Sequence, residues 1–94
     1  MDDIQKTLND RGNRYGEFKD HAHITQGLKY YMHNHPNWSK LSVYQKEALE
    51  MVQHKIGRII NGDPNYLDSW VDIIGYVQLV INELENAKKV PRVS

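Results

Sequence analysis

The fold is decided by residues 46–80, which read KEALEMVQHKIGRIINGDPNYLDSWVDIIGYVQLV. The first part of this stretch places apolar side chains at helical spacing, and the last part is apolar almost all round. Between the two parts, Asn61-Gly62-Asp63-Pro64 combines glycine and proline, the residue types that end helices. The stretch therefore predicts two long helices, over about 42–61 and 67–87, joined by a short loop and packed as an antiparallel pair.

The chain on the N-terminal side of this pair is also predicted to be helical. A short helix is expected from about Asp2 to Asn9, with Gly12 as its C-terminal stop, and a second one over about residues 19–33. Ser42 and Gln45 have the spacing of a capping box, which marks the start of the third helix. No segment has the alternation of a strand. The predicted fold class is all-α: a small bundle of about four helices in one domain over 1–94, with a loose C-terminal tail over 88–94.

Length and charge limit the classes of protein to consider. The 94 residues suit one domain with a modest core, and such a small core gains from self-association, so a homo-oligomer is expected. Twelve basic and twelve acidic residues cancel, which argues against a general nucleic-acid or membrane binder. The absence of cysteine excludes disulfides and thiolate metal sites. No run is long enough and apolar enough to span a bilayer, so a cytoplasmic protein is expected.

Asp72 is an acid within the most apolar run of the chain, WVDIIGYVQLVI, at residues 70–81. A charge in apolar surroundings is costly unless it is paired or bound to a metal. Asp68 lies one turn earlier on the same side of the helix, and two like charges at this spacing repel unless a cation lies between them. The sequence leaves two partners for Asp72 open: a metal ion, or a basic residue such as Lys55 or Arg58.

The third helix carries a polar band opposite its apolar stripe. The band consists of Glu47, Glu50, His54, Arg58 and Asn61, and it has the form of an ordinary solvated face. If the phases of the two long helices agree, however, Glu47 and Glu50 would meet Asp68 and Asp72 in one cleft. Four carboxylates are suitable ligands for Mg²⁺ or Mn²⁺, and Lys55 and Arg58 would then supply positive charge for phosphates. Such a set of groups fits hydrolysis of a phosphate ester or anhydride by metal-activated water.

Two further groups are candidates for chemistry. His21 and His23, like His33 and His35, are two residues apart, so on a helix they point to different sides and make a poor zinc site. The segment Arg14-Tyr15-Gly16 has two interpretations: a turn in which glycine permits positive φ, or a substrate contact in which Arg14 and Tyr15 touch a phosphate or a base.

Residues 46–80 resemble the core of the all-α nucleoside-triphosphate pyrophosphatases, the MazG-like and dimeric-dUTPase-like superfamily. Members carry an E-x-x-E pair on one helix and E-x-x-D on a later one, and these acids bind the Mg²⁺ that holds the nucleotide phosphates. Glu47-Ala48-Leu49-Glu50 matches the first pair, and Asp72 matches the last acid. Ser69 stands where the remaining glutamate would fall, and Asp68 is the nearest acid. The resemblance implies metal ligation by Glu47, Glu50, Asp68 and Asp72, supported by His54 and Tyr76.

The whole chain also resembles short phage-encoded proteins of unassigned function. Their hallmarks are an R-G-x-x-Y-G-x-F segment, met here at residues 11–18, and a K-I-x-R-I-x-N-G-D block, met at residues 55–63. Together the two resemblances imply a phage protein in the host cytoplasm that binds Mg²⁺ and a nucleotide and acts as a pyrophosphohydrolase. The alternative is a non-catalytic oligomeric phage protein that acts through protein–protein interaction and pairs the same acids with Lys55 and Arg58.

Overall fold

The computed structural model describes residues 2–89, and these form four α-helices, one short 3-10 helix and no strand. The helices are α1 (Asp2–Tyr15), α2 (Phe18–Asn34), α3 (Val43–Asn61) and α4 (Leu67–Lys89), with the 3-10 helix at Pro36–Lys40 between α2 and α3. The predicted all-α class is confirmed. No helix in this described part of the chain has the length and apolar character needed to cross a membrane.

The long helices α3 and α4 form the predicted antiparallel pair. The capping box at the start of α3 is present: the Ser42 hydroxyl accepts from the Gln45 backbone N–H at 3.3 Å, and the Gln45 side chain accepts from the Ser42 N–H at 2.9 Å. Near the other end of the pair, the Trp70 indole donates to the Pro64 carbonyl at 2.8 Å and ties α4 to the preceding loop. Both long helices therefore begin and end close to where sequence signals place them.

The first helix is longer than predicted because Gly12 does not end it. α1 continues to Tyr15, and the glycine that ends it is Gly16, whose φ of 77° lies in the left-handed region. A Cβ atom at Gly16 would also collide with the backbone carbonyl of Asn61 on α3. The requirement for glycine thus comes from a contact with a distant helix. At the other end of the chain, α4 extends past the predicted boundary at residue 87, so residues 88–89 are helical, and the rest of the predicted tail lies outside the described residues.

α3 occupies the middle of the fold, and its surface divides into thirds. One third packs on α2, where Gly57 lies against Thr25 and His21. A second third faces α4 through Lys55 and Met51. On a helical wheel drawn at about 100° per residue, the apolar stripe occupies the remaining third of the α3 surface, away from α2 and α4. Two of its members, Leu49 and Ile60, are exposed, and the other three, Val52, Ile56 and Ile59, are partly buried.

The described residues of the isolated chain do not form a buried apolar core. No apolar side chain of the described residues is buried, and the side chains that are buried belong to polar residues: His21, Thr25, Gln53, Lys55 and Ser69. The shape agrees, since the extents are 61 × 26 × 26 Å and the radius of gyration is 16.9 Å. A compact domain of this length would have a radius near 12 Å. The apolar character of α4 predicts burial on both sides, but in a single chain most of that surface is open to solvent.

Candidate functional site

Asp72 makes an ion pair with Lys55 in the structure. Its Oδ2 atom lies 2.9 Å from the Lys55 Nζ atom, and the lysine side chain is nine-tenths buried between α3 and α4, whereas the Asp72 side chain is 46% exposed. Of the two partners that the sequence leaves open, the basic residue is the one in contact. Lys55 is therefore committed to Asp72, and its predicted contact with a phosphate requires that this pair open.

The other three predicted metal ligands point to different places. Glu50 contacts α2, with its Oε1 atom 2.9 Å from His33 Nε2. Asp68 accepts a hydrogen bond from the Tyr66 hydroxyl at 3.0 Å, and this bond raises the pKa of Tyr66 above its usual value. Glu47 is exposed beside Tyr76 in a groove of about 680 Å³ between α3 and α4. Within residues 2–89, no three Asp, Glu or His side chains converge as a metal would require.

A second region brings together the two motifs at residues 11–18 and 55–63. The Asn61 Nδ2 atom donates to the Tyr15 carbonyl and to the Glu17 carbonyl, at 2.9 Å in each case. The Asp63 backbone N–H donates to the Arg14 carbonyl at 2.7 Å. Gly62 packs directly on the backbone of Tyr15, at a position where any Cβ would collide. These bonds fasten the turn between α1 and α2 to the C-terminal end of α3.

Aromatic rings and guanidinium groups stack over this junction. The Arg58 guanidinium lies 4.2 Å from the centre of the Tyr15 ring, and the Arg14 guanidinium lies 5.2 Å from the centre of the Tyr66 ring. The two tyrosine rings meet edge to face at 6.0 Å. A cation over an aromatic face contributes about 0.5–1 kcal/mol where it is exposed. The Arg14 guanidinium therefore contacts the Tyr66 ring, and the Arg58 guanidinium covers one face of the Tyr15 ring.

Beside the junction lies a cleft of about 720 Å³, which we call the junction cleft. Its lining includes two arginines, two histidines and two aromatic side chains: Arg11, Tyr15, Phe18, His21, His54 and Arg58. His21 is buried and bonds to the His54 carbonyl at 3.2 Å, which makes its Nε2 the protonated nitrogen. Partial burial, followed by the nearby charge of Arg58, lowers the pKa of His54 from 6.5 to about 4.

Sequence reasoning missed Asn61, Gly16 and Gly62 as parts of this junction. The signal was present, since all three lie in the two motifs at residues 11–18 and 55–63. What the motifs do not reveal is that they contact each other across 44 or more positions of the chain. Arg58, predicted to bind phosphate from its place on α3, does line the cleft, whereas Lys55 does not.

Comparison with known proteins gives one finding. Residues 1–84 match a family described as a domain of unknown function, DUF6378. No curated protein matches the chain, and no solved structure matches it.

Proposed function

Since the chain belongs to the DUF6378 family, whose function is unknown, we propose a function from its own geometry: it is a non-catalytic protein that self-associates and acts through protein–protein contacts. The observation that carries this proposal is the distribution of apolar side chains. None is buried among the described residues, and seventeen large ones are exposed. Eight of the seventeen lie on α4 alone, and monomeric proteins rarely expose large contiguous apolar patches.

The pairing of the candidate acids within the chain supports the non-catalytic part of the proposal. Asp72 forms an ion pair with a buried lysine, and Glu50 forms a hydrogen bond with His33. Asp68 accepts a hydrogen bond from a tyrosine hydroxyl. Three of the four candidate acids thus have a partner within the chain, and a catalytic metal would have to displace at least the lysine. The resemblance of the two motifs to phage-encoded proteins adds a setting, the cytoplasm of an infected host cell.

The test is the molar mass of the purified protein by light scattering after size exclusion. The chain has a mass of 11.0 kDa, so an integral multiple of that value, with no nucleotide or metal added, is the expected result. A protein that elutes at 11.0 kDa over a wide concentration range and keeps its helical circular dichroism would overturn the proposal.

A second candidate function is nucleotide binding with hydrolysis, as the pyrophosphatase resemblance implies. The observation that favours it is the junction cleft, where Arg58 lies over the Tyr15 ring and Arg11 belongs to the same lining. Arginine is well suited to phosphate oxygens, and an aromatic ring is suited to a base. In this proposal Arg58 would leave Tyr15 to bind phosphate. If Lys55 withdrew, Asp72 and Asp68 would be the residues that hold Mg²⁺, and the ion would supply positive charge to the phosphates.

Incubation with a panel of nucleotides and Mg²⁺ tests this second candidate. Release of monophosphate and pyrophosphate, lost in Arg58→Met, would establish it and overturn the non-catalytic proposal. If no nucleotide is turned over and none raises the melting temperature with or without Mg²⁺, the second candidate falls.

A further inference from the structure

Apolar side chains of α3 and α4 that are exposed or partly exposed line one side of the helix pair, which we call the apolar face. On α3 its members are Leu49, Val52, Ile56, Ile59 and Ile60, and on α4 they are Trp70, Ile73, Ile74, Val77 and Ile81. On a helical wheel drawn at about 100° per residue, the centre of the α3 stripe lies a little over a quarter turn around the helix axis from the side that contacts α4. The α4 stripe is centred about a third of a turn from the side that meets α3.

Both stripes lie on the same side of the helix pair. Viewed from one end of an antiparallel pair, successive residues advance clockwise around one helix and anticlockwise around the other. A stripe that is displaced by a similar angle from the contact on each helix therefore lies on the same side of the pair. α2 packs on a different third of α3, so it does not cover this side. Exposure agrees, because Ile60 is 66% exposed and Ile74 is 68% exposed.

We propose that the apolar face binds the same face of a second copy of this chain, so that two α3–α4 pairs form a four-helix bundle. This inference rests on the proposed self-association and names the surface and the architecture through which it occurs. The bundle supplies the buried apolar core that residues 2–89 of a single chain do not form. A symmetric pair of this kind uses one self-complementary patch on each subunit.

The size of the face can be compared with that of a stable dimer interface. Its members lie between residues 49 and 60 on α3 and between residues 70 and 81 on α4. Such a stretch of helix extends about 18 Å, and two adjacent helices are about 20 Å wide, which gives a flat area on the order of 400 Å² before side-chain relief is counted. A typical stable interface buries about 800 Å² on each partner, so the face forms the centre of the interface, and exposed apolar side chains that flank it, such as Leu84, extend it.

The chemistry of the face favours a second copy over an unrelated partner. Its ten side chains include no charged group, so the surface that covers it must be apolar as well. Without a cover the described chain has no buried apolar side chain, so the cover is needed for the fold itself. A second copy is the one partner present wherever the chain is made.

Charge substitution within and outside the face provides the first test. Ile74→Lys places a charge at an exposed position about midway along the α4 stripe, where the side chain is 68% exposed, and Tyr31→Lys places one on α2, where the side chain is 79% exposed. The expected result is that Ile74→Lys lowers the molar mass to that of one chain, with loss of helical signal, while Tyr31→Lys keeps the mass of the wild type. If Ile74→Lys also keeps that mass, the assignment of the face is wrong.

Cross-linking gives a second test that does not depend on a variant remaining folded after dissociation. The natural chain has no cysteine, so Ile74→Cys introduces a single thiol at mid-face and Gln26→Cys introduces one on the exposed side of α2. A short bis-maleimide is expected to join two copies of Ile74→Cys and to leave Gln26→Cys uncoupled. A wild-type monomer would overturn self-association and this inference together. A wild-type dimer that cross-links only through Gln26→Cys would overturn this inference alone.

Discussion

The ion pair between Lys55 and Asp72 explains how an acid is kept in the apolar run at residues 70–81. The sequence identifies both side chains as candidates, and the spacing alone does not decide between a lysine and a metal. The decision comes from the phase of α3 relative to α4, which depends on packing along the whole pair. The nearly complete burial of Lys55 makes it the group that needs a partner, because Asp72 retains contact with water.

Removal of this carboxylate is expected to destabilise the protein. Asp72→Asn leaves the buried Lys55 without its ion-pair partner and should lower the free energy of unfolding by about 1–2 kcal/mol, less than for a fully buried pair because Asp72 is half exposed. Urea denaturation without added metal measures the change, with Asp10→Asn on the exposed side of α1 as the control. If Asp72→Asn proves as stable as the wild type or steadier, and Mn²⁺ stabilises only the wild type, Asp72 is a metal ligand instead.

His54 predicts a dependence of stability on pH. Its folded pKa of about 4 lies below the unfolded value of 6.5, so between these values the unfolded chain binds a proton that the folded chain does not. Stability is therefore present above pH 6.5 and is lost as the pH falls toward 4. His54 is partly exposed, so solvent screening reduces its contribution to about 1 kcal/mol between pH 7 and pH 5.

Urea titrations at a series of pH values check the expected slope. His54→Gln should show a smaller loss of stability between pH 7 and pH 5 than the wild type, while His23→Gln, an exposed histidine on α2, should follow the wild type. Equal slopes for all three proteins would mean that His54 titrates as freely in the folded chain as in the unfolded one.

At the scale of elements, local signals predict the long helices better than the short ones. The boundaries of α3 follow from Ser42, Gln45 and Gly62, all close in sequence to the ends that they mark. The end of α1 does not follow from its local sequence, since Gly12 and Gly16 are equivalent signals four residues apart. Gly16 ends the helix because Asn61, far along the chain, occupies the space that a side chain would need. Likewise, the sequence identifies individual candidate residues of the site, but it does not predict which of them contact each other in the fold.

Two glycines within helices should respond in opposite ways to alanine. A Cβ atom at Gly57 would lie 2.9 Å from Thr25 Cγ2 and 3.1 Å from the His21 ring, whereas one at Gly75 would meet nothing within 4 Å. Gly57→Ala is expected to lower the free energy of unfolding by about 1–2 kcal/mol, because α2 must move away from α3. Gly75→Ala should raise it by about 0.5–1 kcal/mol, through the higher helix propensity of alanine.

Urea denaturation of the two variants and the wild type measures whether each substitution raises or lowers the free energy of unfolding. The pair controls for propensity, since each variant makes the same substitution within a long helix. If Gly57→Ala stabilises the protein as much as Gly75→Ala, then α2 does not pack closely on this third of α3, and the polar contact through His21 and Thr25 is loose.

At the scale of the whole molecule, the helices are amphipathic in the way that the sequence indicates, yet their apolar sides do not face each other. The α2–α3 contact includes the polar side chains of His21 and Thr25, and the α3–α4 contact includes an ion pair. The apolar stripes are left on a common outer side. A pattern on one helix shows that it has an apolar side, but it carries no information on whether that side is covered by the same chain or by another.

If self-association completes the core, unfolding must be coupled to dissociation. The midpoint of thermal unfolding should then rise with protein concentration, because mass action favours the associated state, and each tenfold increase should add about 1.4 kcal/mol to the stability of a dimer. Circular dichroism melts over a hundredfold range of concentration measure this shift, with Ile74→Lys as the control. The wild-type midpoint should rise steadily over that range, whereas the variant, which loses helical signal when it dissociates, should show no transition that depends on concentration. A wild-type midpoint that stays constant would mean that the described helices are stable as a single chain, despite having no buried apolar side chain.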